Sequence, residues 1–259
     1  MDKNDYNFLL AKVQKDGLFL HNVDYKYKKD YNFVLSAVKQ NGYALKFAHY
    51  DLKKNYDIVL NAVNQNGLAL YYAHDELKKD YNIVLTAVKK CSLAIKYAED
   101  SIKKNYDIVL NAVQKKGDVL YYAHYNLKKN YNIVLEAIKN DYHALYYAHN
   151  DLKNNYEFIL EAVKYNGLCL NYASDNLKNN YNIALHSILN DFRLIIFLTD
   201  TLKKNRKLIS NIRIYKNYPK NPRYTLYEFN CILKNKNIDF KFYFNSFKIN
   251  NFIKIIILL

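Results

Sequence analysis

The sequence predicts an all-α fold. It reads as a right-handed-type α-solenoid of eight 25-residue helix-turn-helix repeats over residues 5–204, with a non-repeat C-terminal segment, 205–259. Three observations carry this reading. An Asp or Asn followed by Tyr recurs every 25 residues without insertion, in seven units from Asp5, Asp30, Asn55, Asp80, Asn105, Asn130 and Asn155, and in an eighth from Asn180. Inside each unit the apolar residues recur at helical spacing. All five glycines fall at one place in the unit: Gly17, Gly42, Gly67, Gly117 and Gly167. Self-similarity at a fixed period of this length marks an array of stacked structural units.

With the unit numbered 1 to 25 from its Asp or Asn, the elements follow in order. Position 1 is an N-cap, because its side-chain oxygen can accept the first free backbone N–H groups of a helix. Positions 2–11 form that helix. Its polar residues sit at 3, 7, 10 and 11, as in Asn82, Thr86, Lys89 and Lys90, one stripe of a 3.6-residue helix. The rest is apolar, with Tyr at 2 and Leu at 6 in every unit. Gly at 13, often after Asn, reads as a helix stop in the left-handed conformation. Ser92, Tyr142 and Phe192 replace it, and the turns at Tyr142 and Phe192 are expected to differ slightly. A second helix follows, apolar at 15, 16, 19 and 23 (Ala69, Leu70, Ala73, Leu77). It either runs to position 24 or breaks near position 20, where Ser174 and Asp175 resemble a local cap. Helices this short are marginal alone, so each unit must bury its apolar sides against its neighbours. The end units are atypical, with Lys12 and Asn22 in the first and Ser187, Arg193 and Thr199 in the eighth. Residues 55–104 match 105–154 better than neighbouring units match each other, which points to duplication of a two-unit block.

The pattern V-L-x-A-V-x-x-N-G-x-A-L-x-Y-A-x-x-x-L-K appears here as Val34-Leu35, Ala37-Val38, Asn41-Gly42, Ala44-Leu45, Phe47-Ala48 and Leu52-Lys53, and again in later units. It resembles the repeats of domain-of-unknown-function family 4116 over residues 5–204. The resemblance implies helical repeats and no known activity. The Tyr at position 2 and the lost glycines depart from the pattern, and the tail is outside it.

Composition narrows the class. Residues 1–204 carry 28 basic and 22 acidic side chains; residues 205–259 carry 11 and 2, so the basic character is concentrated in the tail. The abundant Asn, Lys, Tyr, Ile and Phe share AT-rich codons, so abundance of Tyr or Lys alone has no functional weight. Cys91, Cys169 and Cys231 are far apart, against a disulfide framework or zinc site and in keeping with a reducing, intracellular and cytoplasmic setting. The start lacks the apolar run of a signal peptide, and the terminal FIKIIILL is shorter than the ~20 apolar residues of a membrane span.

Several ladders carry candidate chemistry. Lysines at positions 24 and 25 (Lys53, Lys54, Lys78, Lys79, Lys103, Lys104, Lys128 and Lys129 in the central units) could track a phosphate backbone. They equally suit the negative ends of helices, and nearby acids dilute their field. Tyr at position 2 suits packing between layers better than base stacking. In the pairs Tyr71/Tyr72, Tyr121/Tyr122 and Tyr146/Tyr147 one ring must point outward. Position 17 varies (Tyr71, Lys96, Tyr121, Tyr146, Asn171) and is the candidate partner contact. Histidines at position 20 (His49, His74, His124, His149) stand a full unit apart, too far to share a metal ion. No Gly-rich phosphate loop, GxSxG or HExxH occurs, and acids and histidines follow the period without gathering at one place. The expectation is a non-enzymatic scaffold for a protein partner, with no catalytic residues, metal or cofactor. Its binding face is formed by position 17 together with the stripe at 3, 7, 10 and 11. The alternative is nucleic acid, RNA in particular, held by the Lys ladder and basic tail, whose DFKFYFN suggests strand while its composition allows helix.

Overall fold

A computed structural model describes residues 3–208. The tail readings, a cap over the eighth unit or a small basic module, fall outside these residues. The described residues are all helical and repeat a helix–turn–helix unit. The third unit stands for the rest: an α-helix, Tyr56–Gln65, a 3-10 helix, Gly67–Tyr72, and a short 3-10 turn, Leu77–Lys79.

In the second to eighth units the α-helix starts as expected; the first runs Lys3–Lys15, so Asp5 lies inside it and is not its N-cap. The position-1 side chain accepts the N–H of position 4, as Asn55 does from Ile58 at 3.1 Å and Asp80 from Ile83 at 2.9 Å. The helix buries positions 4, 5, 8 and 9, such as Ile58, Val59, Ala62 and Val63, completely. Those residues meet positions 15 and 16 of the 3-10 helices, such as Ala69 and Leu70, also fully buried. Successive α-helices pack on one another in one layer and successive 3-10 helices in a second, with one continuous apolar core between them.

The second helix breaks, and it does so in each unit described. Ala73 at position 19 is extended (φ −67°, ψ 153°) and ends the 3-10 helix; the chain then turns through position 20 into its third element. The backbone N–H of position 20 donates to the carbonyl of position 24 in the preceding unit: His74 to Lys53 at 3.0 Å, Glu99 to Lys78 at 3.1 Å, Ser174 to Lys153 at 3.0 Å. These bonds join each unit to the next through the main chain.

The glycines correct the sequence reading. None lies in the left-handed region. The residue before each is extended (Asn66 φ −145°, ψ 110°), and in every case but Lys116 its side chain caps the 3-10 helix that follows, Asn66 accepting from Leu68 N–H at 3.0 Å. The glycine is a spacer. A Cβ on Gly42 would lie 2.3 Å from the Ala62 carbonyl oxygen of the next unit, and one on Gly67 would lie 2.2 Å from that of Ala87. Only a residue without Cβ lets the second layer approach the next α-helix this closely. The expected change of turn fails at Phe192, which starts a 3-10 helix, Phe192–Phe197, as Ser92 does; at Tyr142 it holds, and a four-residue α-helix, Ala144–Tyr147, replaces the 3-10 start. The reason is the neighbour's backbone and not a positive φ.

The end units close themselves. Lys12 sits over the rings of Phe8 and Phe19, 4.4 and 5.3 Å from their centroids. The Ser187 hydroxyl, fully buried, donates to the Gly167 carbonyl at 2.9 Å.

Candidate interaction surface

The Lys ladder divides in two. At position 24 the ammonium folds back on its own unit. Lys53, Lys128 and Lys153 donate to the position-17 carbonyls of Lys46, Tyr121 and Tyr146 at 2.9, 2.7 and 2.6 Å. Where position 21 is Asp, the same lysine pairs with it instead: Lys78 with Asp75 at 3.0 Å, Lys103 with Asp100 at 3.1 Å. Burial pulls the ammonium pKa of Lys53, Lys128 and Lys153 down from its ordinary value. Position 24 is therefore a clip holding the third element against the end of the second. Position 25 is exposed. Lys54 lies over the Tyr50 ring at 4.5 Å, and Lys129 pairs with Asp151 at 3.2 Å, while Lys79 and Lys104 make no ion pair among the described residues.

The histidine ladder also faces inward. Nδ1 of His49, His74, His124 and His149 accepts the backbone N–H two residues on, at 3.2–3.3 Å, capping the third element. Nε2 of His74 shares a hydrogen bond with the Tyr50 hydroxyl at 2.8 Å. Tyr at position 2 lies half-exposed on the next unit: Tyr6 meets Phe33 edge-on at 5.5 Å and Tyr131 meets Phe158 at 4.9 Å.

Position 17 faces solvent. Tyr71, Tyr121 and Tyr146 are 55, 56 and 62% exposed, and Lys96 and Asn171 are exposed too. Sequence alone does not show the partner set at position 18, where Tyr72, Tyr97, Tyr122, Tyr147 and Tyr172 are half-buried against the core. Each outer ring meets the position-18 ring of its own unit and of the next. Tyr71 is 4.9 Å from both Tyr72 and Tyr97; Tyr121 is 4.9 Å from Tyr122 and 5.3 Å from Tyr147; Tyr146 is 5.2 Å from Tyr147 and 6.0 Å from Tyr172. The result is an aromatic strip along the 3-10 layer, broken at the unit bearing Lys96. The signal in sequence is the unbroken run of Phe or Tyr at position 18 from Phe47 to Phe197.

Position 17 and the polar stripe at 3, 7, 10 and 11 do not share a face. The stripe lies on the side of the α-helices opposite the buried positions 4, 5, 8 and 9, so the core separates the two. The acids also depart from the even pacing read in the sequence. Glu136, Glu157 and Glu161 gather on the outer face of the sixth and seventh units, where a shallow pocket is lined by Tyr131, Glu157, Leu160, Glu161, Lys164 and Tyr165. The Tyr131 hydroxyl donates to Glu161. Burial first, then that bond and the carboxylate's charge, push the Tyr131 pKa up to about 12. The signal is that only the seventh unit is acidic at both positions 3 and 7.

Among the described residues no His, Cys, Asp and Glu side chains group to hold a metal ion, and no helix is long and apolar enough to cross a membrane. The family described as domain of unknown function (DUF4116) matches residues 5–53, 55–103, 80–128, 105–153 and 155–203. Each match spans two units, and the one at 80–128 is shifted by a single unit, so the 25-residue step underlies the longer match. No curated protein and no solved structure matches the chain. The chain belongs to the DUF4116 family of helical repeats.

Proposed function

We propose that this repeat array is a non-enzymatic scaffold that binds a protein partner along its 3-10 layer, through Tyr71, Lys96, Tyr121, Tyr146 and Asn171. One observation carries the reading. Position 17 changes from unit to unit and projects rigid, half-exposed rings, while the frame around it hardly varies. Tyr supplies large contact area at low entropic cost and is enriched at protein interfaces. The nucleic-acid alternative is weakened where the position-24 lysine is neutralised by an aspartate of its own unit, as Lys78 and Lys103 are, which breaks the run of cations along the ladder. The free thiols of Cys91 and Cys169 suit the reducing compartment expected from sequence.

Photo-crosslinking from benzoylphenylalanine placed at 71 or 146, with position 61 on the opposite face as control, tests the surface. Protein adducts from 71 or 146 but not 61 are the expected result. Fluorescence anisotropy of labelled single-stranded RNA and duplex DNA with the full chain, at two salt concentrations, tests the alternative. Tight binding that falls steeply with salt and is lost on neutralising Lys54, Lys79, Lys104 and Lys129 would overturn the proposal.

A further inference from the structure

The strip in the fifth to seventh units has three features that together specify a partner. The first is its rings: Tyr121, Tyr146, Tyr147 and Tyr172 form a continuous series with centroid separations of 5.2–6.0 Å. The second is unused donors. Among the described residues the hydroxyls of Tyr121 and Tyr146 have no hydrogen-bond partner. The third is uncompensated charge. Lys128 and Lys153 each bond a carbonyl, make no ion pair among the described residues, and sit 5.5 and 5.6 Å from the Tyr121 and Tyr146 ring centroids. Burial lowers the pKa of both ammonium groups. The acids of the same layer are already engaged, Asp118 with Lys116 at 3.0 Å and Asp141 with His143 at 2.9 Å.

These features repeat once per unit, and helices packed side by side step by about 8–10 Å. A bound chain must present the same kind of side chain at that interval. A β-strand advances about 10 Å in three residues, but its side chains alternate, so every third residue faces the wrong way. A polyproline II helix has three residues per turn and rises about 3.1 Å per residue, so one turn covers about 9.3 Å and returns to the same face. Its backbone makes no internal hydrogen bonds, and aromatic-lined grooves with polar hydroxyls are a recurring way to receive it.

We infer that the strip of Tyr121, Tyr146, Tyr147 and Tyr172 binds a proline-rich, acidic segment of a partner protein in the polyproline II conformation, one turn per unit. Prolines pack on the exposed rings, the Tyr121 and Tyr146 hydroxyls donate to main-chain carbonyls of the segment, and a carboxylate at every third residue meets Lys128 and Lys153. This rests on the protein-binding reading above and names its ligand class. The sequence step of 25 residues on the scaffold is thereby matched to a step of three on the partner.

The test uses the full chain and four labelled 15-residue probes in fluorescence anisotropy: five Pro-Pro-Glu triplets, five Gly-Gly-Glu triplets, five Pro-Pro-Gln triplets, and oligouridine. Pro-Pro-Glu is expected to bind at least about tenfold more tightly than either peptide control, because preorganisation and charge are both needed. Tyr121→Ala and Tyr146→Ala are expected to weaken it by about tenfold each, with helical circular dichroism retained. Lys128→Gln with Lys153→Gln should abolish the preference for Glu over Gln. Asn61→Ala, on the far face, should leave binding unchanged. No binding of Pro-Pro-Glu, equal binding of Gly-Gly-Glu, or indifference to the tyrosine substitutions overturns the inference. If a protein still crosslinks from position 146 under any of those outcomes, the broader reading survives. Oligouridine binding that exceeds every peptide and is lost with the same tyrosines overturns both.

Discussion

Two joints of one array differ in how they are made. Between the second and third units, Gly42 lets the layers close, donates its N–H to the Gln65 side chain at 2.6 Å, and the Gln65 amide donates on to the Gln40 carbonyl at 3.2 Å. Between the sixth and seventh, Tyr142 stands where the glycine was and Tyr165 where the amide was. The 3-10 start gives way, Tyr142 lies against His143 at 3.9 Å and Tyr172 at 6.3 Å, and the pocket beside Tyr131 lies on the outer face. What persists at both joints is the main-chain bond from position 20 to position 24, at 3.0 Å in each. The period is therefore kept by the third element, and the glycine joint adds closeness to it. That separation explains how the chain loses glycine in alternate units without losing the 25-residue step.

The largest effect that would break this comparison is at the glycine itself. Gly42→Ala puts a Cβ 2.3 Å from the Ala62 carbonyl oxygen and 3.1 Å from the Asn66 nitrogen, both backbone atoms of the next unit. A loss of about 3 kcal/mol is expected from such overpacking, which lowers the thermal midpoint by roughly 6–12 °C in an array of this size. Tyr142→Ala is expected to cost less than half as much. Should calorimetry find the two equal, the glycine would be a stop and not a spacer. Next in size is the amide. Gln65→Ala leaves the Gly42 N–H and the Gln40 carbonyl without this partner and is expected to cost about 1–2 kcal/mol in denaturant unfolding. The reciprocal change installs the joint where it is half built: Lys90→Gln, opposite Gly67, is expected to stabilise by about 0.5–1 kcal/mol.

The amide joint shows how much the sequence discloses and where it stops. Gly17 faces Gln40, Gly42 faces Gln65, Gly117 faces Asn140 and Gly167 faces Asn190, whereas Ser92 faces Lys115 and Tyr142 faces Tyr165; Gly67, opposite Lys90, is the exception. That covariation was legible, but only once the glycine is known to touch the next unit rather than end its own helix. The core was legible for a simpler reason. Positions 4, 5, 8 and 9 are buried in seven successive units with no insertion, so the buried face of the α-helix stands out over any single substitution. The 3-10 character of positions 13–18 was not, because in six residues the spacings of the two helix types coincide. Nor was the clip at Lys53 or Lys128. A lysine that bonds a carbonyl seven residues back has the same sequence as one that reaches for phosphate.

A prediction of about 1 kcal/mol sharpens the comparison by cutting across it. Asn55 and Asn155 cap helices at a glycine joint and at the tyrosine joint, accepting from Ile58 and Phe158 at 3.1 and 2.8 Å. Either Asn→Ala change is expected to cost about 1 kcal/mol, and the two to agree. A markedly larger loss at Asn155 would mean that the sixth joint leans on its neighbouring caps, and that the shared frame is not shared equally.

The smallest effect belongs to the tyrosine joint alone. Burial, the bond to Glu161 and the charge of that carboxylate hold the Tyr131 hydroxyl protonated up to a pKa of about 12. An ordinary tyrosine in the unfolded chain titrates near ~10. Between those values the folded chain binds the proton and the unfolded chain does not, so stability falls as pH rises. The contribution is whole below the unfolded pKa and is lost as pH passes through the folded one. Tyr131 is 36% exposed, so solvent screens much of it. Tyr131→Phe should flatten this part of the alkaline unfolding curve and remove one late-titrating phenol from the tyrosinate absorbance. Glu161→Gln removes the carboxylate that the Tyr131 hydroxyl bonds and should act in the same direction as Tyr131→Phe, but less, because burial is the larger cause. If Glu161→Gln leaves the alkaline curve unchanged, the acidic outer face of the seventh unit has no special part in it.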